Sequence, residues 1–147
     1  MTSMPTTVHH VISFTKDIDR SLLLFRDILG MELKWRLPEV GGRKMSAVLG
    51  LTGMKAEMAY LAPADGGVAV ELVRIIQSDV DVTQARSDGT GLSLRVEHLG
   101  AIYRRLREHD WNPFTEPVDM LSPEGESIRM FCFRTDEGLF VELFEVN

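Results

Sequence analysis

Three residues with acid, base or metal-binding side chains lie inside runs that are otherwise typical of β-strands. His10 falls in an alternating run over residues 8–15, and Glu71 and Glu142 each interrupt an apolar run. A carboxylate within an apolar strand is costly unless it is paired, protonated or bound to a metal. Two such carboxylates that face each other repel, which raises the pKa of one and makes it a candidate general base. The alternative is an open, wet surface on which both glutamates are simply solvated.

Successive side chains of a strand point to opposite faces of a sheet. The first run therefore places His10, Ile12 and Phe14 on one face. His9 is predicted to point to the other face, as a structural or exposed residue. His10 can hold a metal or a proton, and its simpler interpretation is an inert, hydrogen-bonded histidine.

The same order of elements occurs twice along the chain. The first strand leads into a helix over 20–29, capped by Asp17 or Asp19, and a later strand leads into a helix over 98–109. Three strands follow in each half, the first of them over 31–37 and ended by Pro38. The first half is roughly ten residues longer, which fits an insertion over 39–53 that covers the sheet. The sequence predicts one α+β domain of two tandem βαβββ modules, over about 6–77 and 91–147, with a linker over about 78–90.

Composition excludes several classes of protein. The 147 residues carry a formal net charge of −6, which argues against a nucleic-acid partner because phosphate binding needs a basic face. No run approaches the roughly 20 apolar residues that span a membrane, and the N-terminus does not resemble a signal peptide. The single cysteine, Cys132, suits a reducing compartment and a cytoplasmic location.

The motifs at the module starts and ends are ordered in a recognisable way. They are His10-Val11, Asp17-Ile18-Asp19-Arg20-Ser21, Ile28-Leu29-Gly30, Val70-Glu71-Leu72 and Val141-Glu142-Leu143. In this order and at this spacing they resemble the vicinal oxygen chelate superfamily, the glyoxalase/bleomycin-resistance/extradiol-dioxygenase group. The resemblance covers nearly the whole chain. It implies a cup-shaped mixed sheet with helices outside, a small-molecule ligand inside, and a homodimer.

The resemblance also implies a ligand set. In metal-using members such as lactoylglutathione lyase, a histidine and a glutamate from each module meet in the cup. Carried over by position, His10, Glu71 and Glu142 are metal ligands, and Gly91 stands where the fourth ligand, a histidine, is expected. Such a set suits a divalent ion (Ni, Zn, Mn, Fe or Mg), and no metal is expected if the site is degenerate. Iron-dependent members that cleave aromatic rings use a site with two histidines and one carboxylate. Because only one of those histidines is retained here, the resemblance disfavours ring cleavage.

Four further residues are candidate contacts for a substrate. By strand parity Ser93 and Arg95 face the same cup as Gly91. Arg95 either pairs with one of the glutamates or binds an anionic group of the substrate. Trp35 and Tyr60 are candidate lining residues, although an aromatic residue on a sheet more often belongs to the core.

Two functions from different classes follow. The first is a glyoxalase-like lyase or isomerase, in which Glu71 or Glu142 abstracts a proton next to a carbonyl while a metal or Arg95 stabilises the enolate oxygen. The second is a metal-free binding protein that sequesters a small aromatic or drug-like compound, as bleomycin-resistance members of the superfamily do. The retained His10 and glutamates favour the enzyme, whereas Gly91 favours the binding protein.

Overall fold

Each half of the chain contributes four strands and at least one helix to the fold. The structure is a computed structural model that describes residues 5–79, 89–135 and 138–147. Module one contains β1 (Thr6–Phe14), α1 (Ile18–Leu22) continued by a π-helical segment (Leu23–Ile28), β2 (Glu32–Gly41), α2 (Arg43–Leu49), β3 (Lys55–Ala62) and β4 (Ala69–Gln77). Module two contains β5 (Gly89–Val96), α3 (Leu99–Glu108), β6 (Val118–Leu121), β7 (Ser127–Arg134) and β8 (Phe140–Val146).

All eight strands form one mixed sheet, in the spatial order β2-β3-β4-β1-β5-β8-β7-β6. The first strand of each module is parallel to the last strand of that module, so β1 pairs with β4 and β5 pairs with β8. The two first strands meet at the centre of the sheet and run antiparallel. The sheet curls into a half-barrel, which confirms the predicted α+β fold of two βαβββ modules forming a cup.

Two helices pack on the convex face, and one does not. The α1 residues Ile18 and Leu22 are buried against Leu61 and Leu72, whose neighbours along the strands point into the cup. The α3 residue Leu99 packs in the equivalent place in module two, against Phe131, Phe133, Val141 and Leu143. Helix α2 instead packs on the concave side, where its Val48 joins Ile12 and Phe144 in one cluster. The expectation that the helix of each module lies outside is therefore confirmed for α1 and α3. Helix α2 belongs to the predicted insertion, which was expected to cover the sheet.

Some predicted boundaries move. Strand β2 continues through Pro38 to Gly41, although the sequence predicted that it would end at the proline. An edge strand tolerates a proline, because one row of its backbone groups is unpaired, and the register with β3 shifts between Leu37 and Val40. The first helix begins at Ile18, where the Asp17 carboxylate accepts a hydrogen bond from the Arg20 amide at 3.1 Å.

The predicted linker lies mostly outside the described residues, which resume at β5. No helix within the described ranges has the length and apolar character that spanning a membrane requires.

Candidate functional site

The concave face encloses a cavity of about 140 Å³ between the two modules and α2. A cavity of roughly this volume holds one benzene ring. Most of its wall is apolar and rich in methionines and aromatic rings, and its apolar lining residues include Ile12, Phe14, Trp35, Met45, Leu49, Met58, Val73, Met120, Ile128, Met130, Phe140 and Phe144. The polar lining residues therefore stand out.

Three of the polar residues meet at one point of the wall. Nε2 of His10 lies 3.7 Å from Oε2 of Glu71 and 3.9 Å from Oε1 of Glu142. The register explains the convergence, because β1 lies between β4 and β5, and β5 pairs with β8. Strands β4, β1, β5 and β8 are therefore adjacent in the sheet, and their cup-facing side chains project into one space.

Both glutamates are held in a low-dielectric setting. Burial raises the pKa of Glu71 well above its ordinary value, and the negative charges of Glu142 and then Glu124 raise it further. Burial also raises the pKa of Glu142, and a hydrogen bond from the Ser93 hydroxyl partly offsets this effect. Like charges so close together are held most easily when one carboxyl keeps its proton. The pair can therefore hold one acid and one base at once.

Ser93 supports one glutamate rather than lining the cavity. Its side chain is fully buried, and Oγ donates a 2.7 Å hydrogen bond to Oε1 of Glu142. Ser93 pairs with Glu142 in the β5–β8 ladder, so the two side chains are adjacent on the same face. Ser93 was predicted to contact the substrate, and in the structure its polar atom is occupied by Glu142.

His10 is neutral and partly unsatisfied. Burial, and next the charge of His9, lowers its pKa from 6.5 to about 3. Its Nδ1 lies 2.7 Å from Nδ1 of His9, so one of these two nitrogens carries the proton between them. Its Nε2 is buried and has no hydrogen-bond partner among the described residues. A buried polar atom without a partner is costly, which suggests a ligand at this point.

The prediction that His9 faces away from the cup is wrong. The pairing of β1 with β5 slips between Val8 and His10, so that one extra residue is inserted in β1. Such a β-bulge interrupts the strict alternation of side chains. His9 consequently lines the cavity beside His10, with its ring edge against Phe144.

Trp35 and Tyr60 form one wall of the cavity. Their rings are stacked, with centroids 5.2 Å apart and planes 13° apart. The indole nitrogen of Trp35 donates a 2.9 Å hydrogen bond to Oε1 of Glu124, across from module one to module two. Burial, followed by the charges of Glu71, Glu124 and Glu142, raises the pKa of Tyr60 to about 12, so its phenol remains a hydrogen-bond donor.

Arg95 lies outside the cavity. Its side chain is exposed, and it does not belong to the cavity wall. Within the described part of the chain it forms no ion pair with Glu71 or Glu142, so the structure does not show the pairing that was one of its two expected roles. Its charge acts on His9, whose pKa is lowered first by burial and also by Arg95.

Gly91 occupies the position in module two that His10 occupies in module one. It pairs with Phe140, two residues before Glu142, as His10 pairs with Ala69, two residues before Glu71. A Cβ atom on Gly91 would lie 2.9 Å from the Phe140 carbonyl oxygen, so the backbone there leaves no room for a side chain. The close approach of two strands at this point requires glycine.

A shared metal ion requires that its ligands lie close to one another. Two ligands of one ion lie no more than about 4.2 Å apart, since each bond is about 2.1 Å, and the distances from His10 to the two glutamates meet that limit. Among the described residues, however, no three His, Cys, Asp or Glu side chains converge as a metal-ligand set. As arranged, His10, Glu71 and Glu142 do not fit the divalent ion that superfamily members often use.

Sequence reasoning missed the mouth of the cavity. The turn between β6 and β7 brings Ser122, Pro123, Glu124 and Glu126 to the cavity wall. The sequence signals a turn at Pro123-Glu124-Gly125, but nothing in it indicates that this turn lies opposite Trp35, 89 residues away along the chain.

Comparison with known proteins defines the class. The model of the Glyoxalase/Bleomycin resistance protein/Dioxygenase superfamily matches residues 7–143. The chain therefore belongs to this superfamily, as its motifs predicted. No curated protein matches the chain.

Several solved structures share its fold. A glyoxalase/bleomycin resistance protein/dioxygenase superfamily member from Vibrio splendidus is 18% identical, with a TM-score of 0.60 and coverage of 99% of this chain and 100% of that one. Methylmalonyl-CoA epimerase from Mycobacterium tuberculosis is 22% identical, with a TM-score of 0.61 and coverage of 95% and 87%. A mutant 4-hydroxymandelate synthase from Streptomyces coelicolor is 13% identical, with a TM-score of 0.65, and the match covers 97% of this chain and 49% of the synthase. At these identities the likeness shows the fold.

Proposed function

We propose that this protein is an isomerase or lyase that moves a proton on a carbon atom next to a carbonyl group of a small, largely apolar substrate. The observation that carries this proposal is the pair of buried glutamates, both with raised pKa values, that flank the His10 imidazole on the wall of an apolar cavity. A carboxyl whose pKa is raised toward neutrality is the kind of group that general acid–base catalysis uses.

The two glutamates take complementary roles. The ionised carboxylate abstracts the proton from the carbon, and the protonated carboxyl returns a proton to the same carbon or an adjacent atom. Ser93 favours the ionised form of Glu142, because its hydroxyl donates to that carboxylate. Glu71 has no such donor within the described residues and has the neighbouring negative charge of Glu124 in addition. Glu142 is thus the better candidate for the base and Glu71 for the acid.

The developing negative charge on the carbonyl oxygen needs a hydrogen-bond donor. The Tyr60 phenol lies beside the pair, because Tyr60 and Glu71 are partners in the β3–β4 ladder. It keeps its proton, since burial and three carboxylates raise its pKa to about 12. A preorganised donor in a water-poor cavity contributes more to transition-state stabilisation than the same donor in water.

Fold relatives agree with chemistry of this class. Methylmalonyl-CoA epimerase is among them, and epimerisation is a proton transfer at carbon. The small cavity limits what this chain can enclose, because only a group of about one ring fits within it. Any larger part of a substrate lies outside the mouth.

Proton exchange at carbon tests the proposal directly. The protein is incubated in D₂O with a panel of small ketones, amides and thioesters, and NMR follows deuterium incorporation next to the carbonyl. Wild type is expected to exchange at least one of them faster than buffer alone, and Glu71→Gln and Glu142→Gln to lower that rate by about 10²- to 10⁴-fold. Glu108→Gln, on the exposed end of α3, is the matched control and should exchange as wild type does. Equal rates in all four proteins would contradict the proposal.

A second candidate function has its own supporting observation. The stacked Trp35 and Tyr60 rings and the methionine-rich wall suit the sequestration of an aromatic compound without any reaction. Tight binding of a compound whose protons never exchange would favour this binding-protein alternative.

A further inference from the structure

The charged side chains that line the cavity share one sign. Glu71 and Glu142 lie at its floor and Glu124 and Glu126 at its mouth, and no lysine or arginine belongs to the described part of the wall. The two histidines of the wall have lowered pKa values and add no positive charge near neutral pH. An anionic ligand group inside would meet four acidic side chains and no cation.

An unpartnered atom shows where a ligand group would bind. His10 is only 5% exposed, and its Nε2, which faces the cavity, has no hydrogen-bond partner among the described residues. When Nδ1 of His10 donates to Nδ1 of His9, 2.7 Å away, Nε2 carries a lone pair and accepts. A bound cation favours the ionised form of both carboxyls. Nε2 then forms, with Oε2 of Glu71 and Oε1 of Glu142 at 3.7 and 3.9 Å, a set of three acceptors.

Three acceptors at these separations match a primary ammonium group. Such a group has three N–H donors. Its nitrogen can lie about 2.9 Å from each of three acceptors that are themselves somewhat further apart. An alcohol offers one donor and a carboxylate none, so neither satisfies all three acceptors.

The remainder of the cavity suits an apolar body. The Tyr60 ring contacts the His10 ring at 5.3 Å between centroids and stacks on Trp35, so an aromatic wall begins directly beside the three acceptors. Aromatic faces attract cations as well as apolar groups.

We propose that the ligand of this site carries a primary ammonium group that binds among His10, Glu71 and Glu142, together with an apolar body of about one ring that packs against Tyr60 and Trp35. The inference rests on the proposed function only in taking this cavity as the substrate site.

Three probes of nearly equal size separate the charge classes. Benzylamine, benzyl alcohol and benzoate are titrated by calorimetry into the intact protein near neutral pH, in buffer that contains a chelator. Benzylamine is expected to bind at least about tenfold more tightly than benzyl alcohol, since charge-assisted hydrogen bonds exceed neutral ones by that margin. Benzoate is expected to bind more weakly than the alcohol.

Variants locate the ammonium site. Glu71→Gln should weaken benzylamine binding about tenfold and leave benzyl alcohol binding unchanged, whereas Glu108→Gln should alter neither. In spectra of ¹⁵N-labelled histidine, the Nε2 resonance of His10 should shift with benzylamine and not with the alcohol. This measurement uses wild type and does not depend on the folding of a variant.

The inference is overturned if benzoate binds as tightly as benzylamine, if benzylamine has no advantage over the alcohol, if Glu71→Gln leaves that advantage intact, or if none of the probes binds. Its failure is distinguishable from that of the proposed reaction. Preferred, Glu71-dependent amine binding without any carbon-bound exchange would remove the reaction and keep the amine site. Carbon-bound exchange together with preferred benzoate binding would keep the proposed reaction and remove the amine site.

Discussion

The two modules follow the same chain path around the cavity, yet they supply it with different chemistry. Beside Glu71, module one places His10 on β1 and Tyr60 on β3, each in a defined ladder position. At the equivalent positions beside Glu142, module two places Gly91 on β5 and Cys132 on β7. Only the glutamate is the same in both. Module one thus supplies the polar groups, and module two supplies small residues.

The difference lowers the number of hydrogen-bonding side chains around Glu142 relative to Glu71. Cys132 is fully buried and has a raised pKa, from burial first and then from the charges of Glu142 and Glu71, so it acts as a small apolar residue and not as a nucleophile. Glu142 therefore has the Ser93 hydroxyl as its hydrogen-bond donor, whereas Tyr60 is the ladder partner of Glu71.

Acid stability should reveal the largest difference between the modules. The pKa of His10 is about 3 when folded and 6.5 as a free side chain. The unfolded chain thus binds more protons between these values, and stability falls as the pH drops through that window. His10→Gln should remove a loss on the order of 4 kcal/mol near pH 3, measured by urea unfolding across the pH range. The exposed His109→Gln is the control, and equal acid sensitivity in wild type and His10→Gln would contradict this account.

A side chain at Gly91, the position equivalent to His10, should lower the stability of the protein. In Gly91→Ala the new Cβ lies 2.9 Å from the Phe140 carbonyl oxygen, and backbone cannot move aside as a flexible side chain can. We expect a loss of about 1 to 3 kcal/mol in the free energy of unfolding. The nearest atom to a Cβ on Gly100, within α3, is 3.8 Å away, so Gly100→Ala should be neutral or stabilising. A Gly91→Ala protein as stable as wild type would show that the strands can separate there.

Ser93→Ala should make the pKa values of Glu71 and Glu142 more alike. In the wild type, the 2.7 Å hydrogen bond from Ser93 lowers the pKa of Glu142 and partly offsets the effect of burial. The substitution removes this hydrogen bond. The pKa of Glu142 should therefore rise, and the protein should lose about 1 kcal/mol of stability. A ¹³C NMR titration of labelled glutamate carboxyls measures the first effect. An unchanged titration of Glu142 would mean that Ser93 does not tune it.

Divalent ions should have the smallest effect. Because module two offers Gly91 instead of a histidine, the site has at most three ligands, and no group of three His, Cys, Asp or Glu side chains among the described residues is arranged as a metal site. Millimolar Ni²⁺, Zn²⁺ or Mn²⁺ should raise the unfolding temperature by no more than about 2 °C, since a weak ligand stabilises only by the logarithm of its saturation. One ion retained per chain after chelator treatment would contradict this prediction and indicate a rearranged site.

Much of the fold and the central part of the site could be predicted from local patterns. The alternation in β1 and the apolar runs around Glu71 and Glu142 identify strands and assign each glutamate a face. The resemblance to the superfamily then implies that these faces belong to one cup. Arg95 shows the limit of parity, because parity predicted that it shares the cup with Ser93, whereas its side chain is exposed and does not belong to the cavity wall.

The sequence by itself determined the two modules and their strands, because periodicity and repetition are local properties of the chain, and its resemblance to the superfamily indicated which three side chains meet in the cup. Only the tertiary structure decided that His9 joins His10, that α2 closes the cavity, and that Glu124 reaches Trp35. A β-bulge arises from the register between β1 and β5, and a lid or a hydrogen bond across the mouth arises from the curvature of the whole sheet. These features depend on how distant strands pair, and no local stretch of residues carries that information.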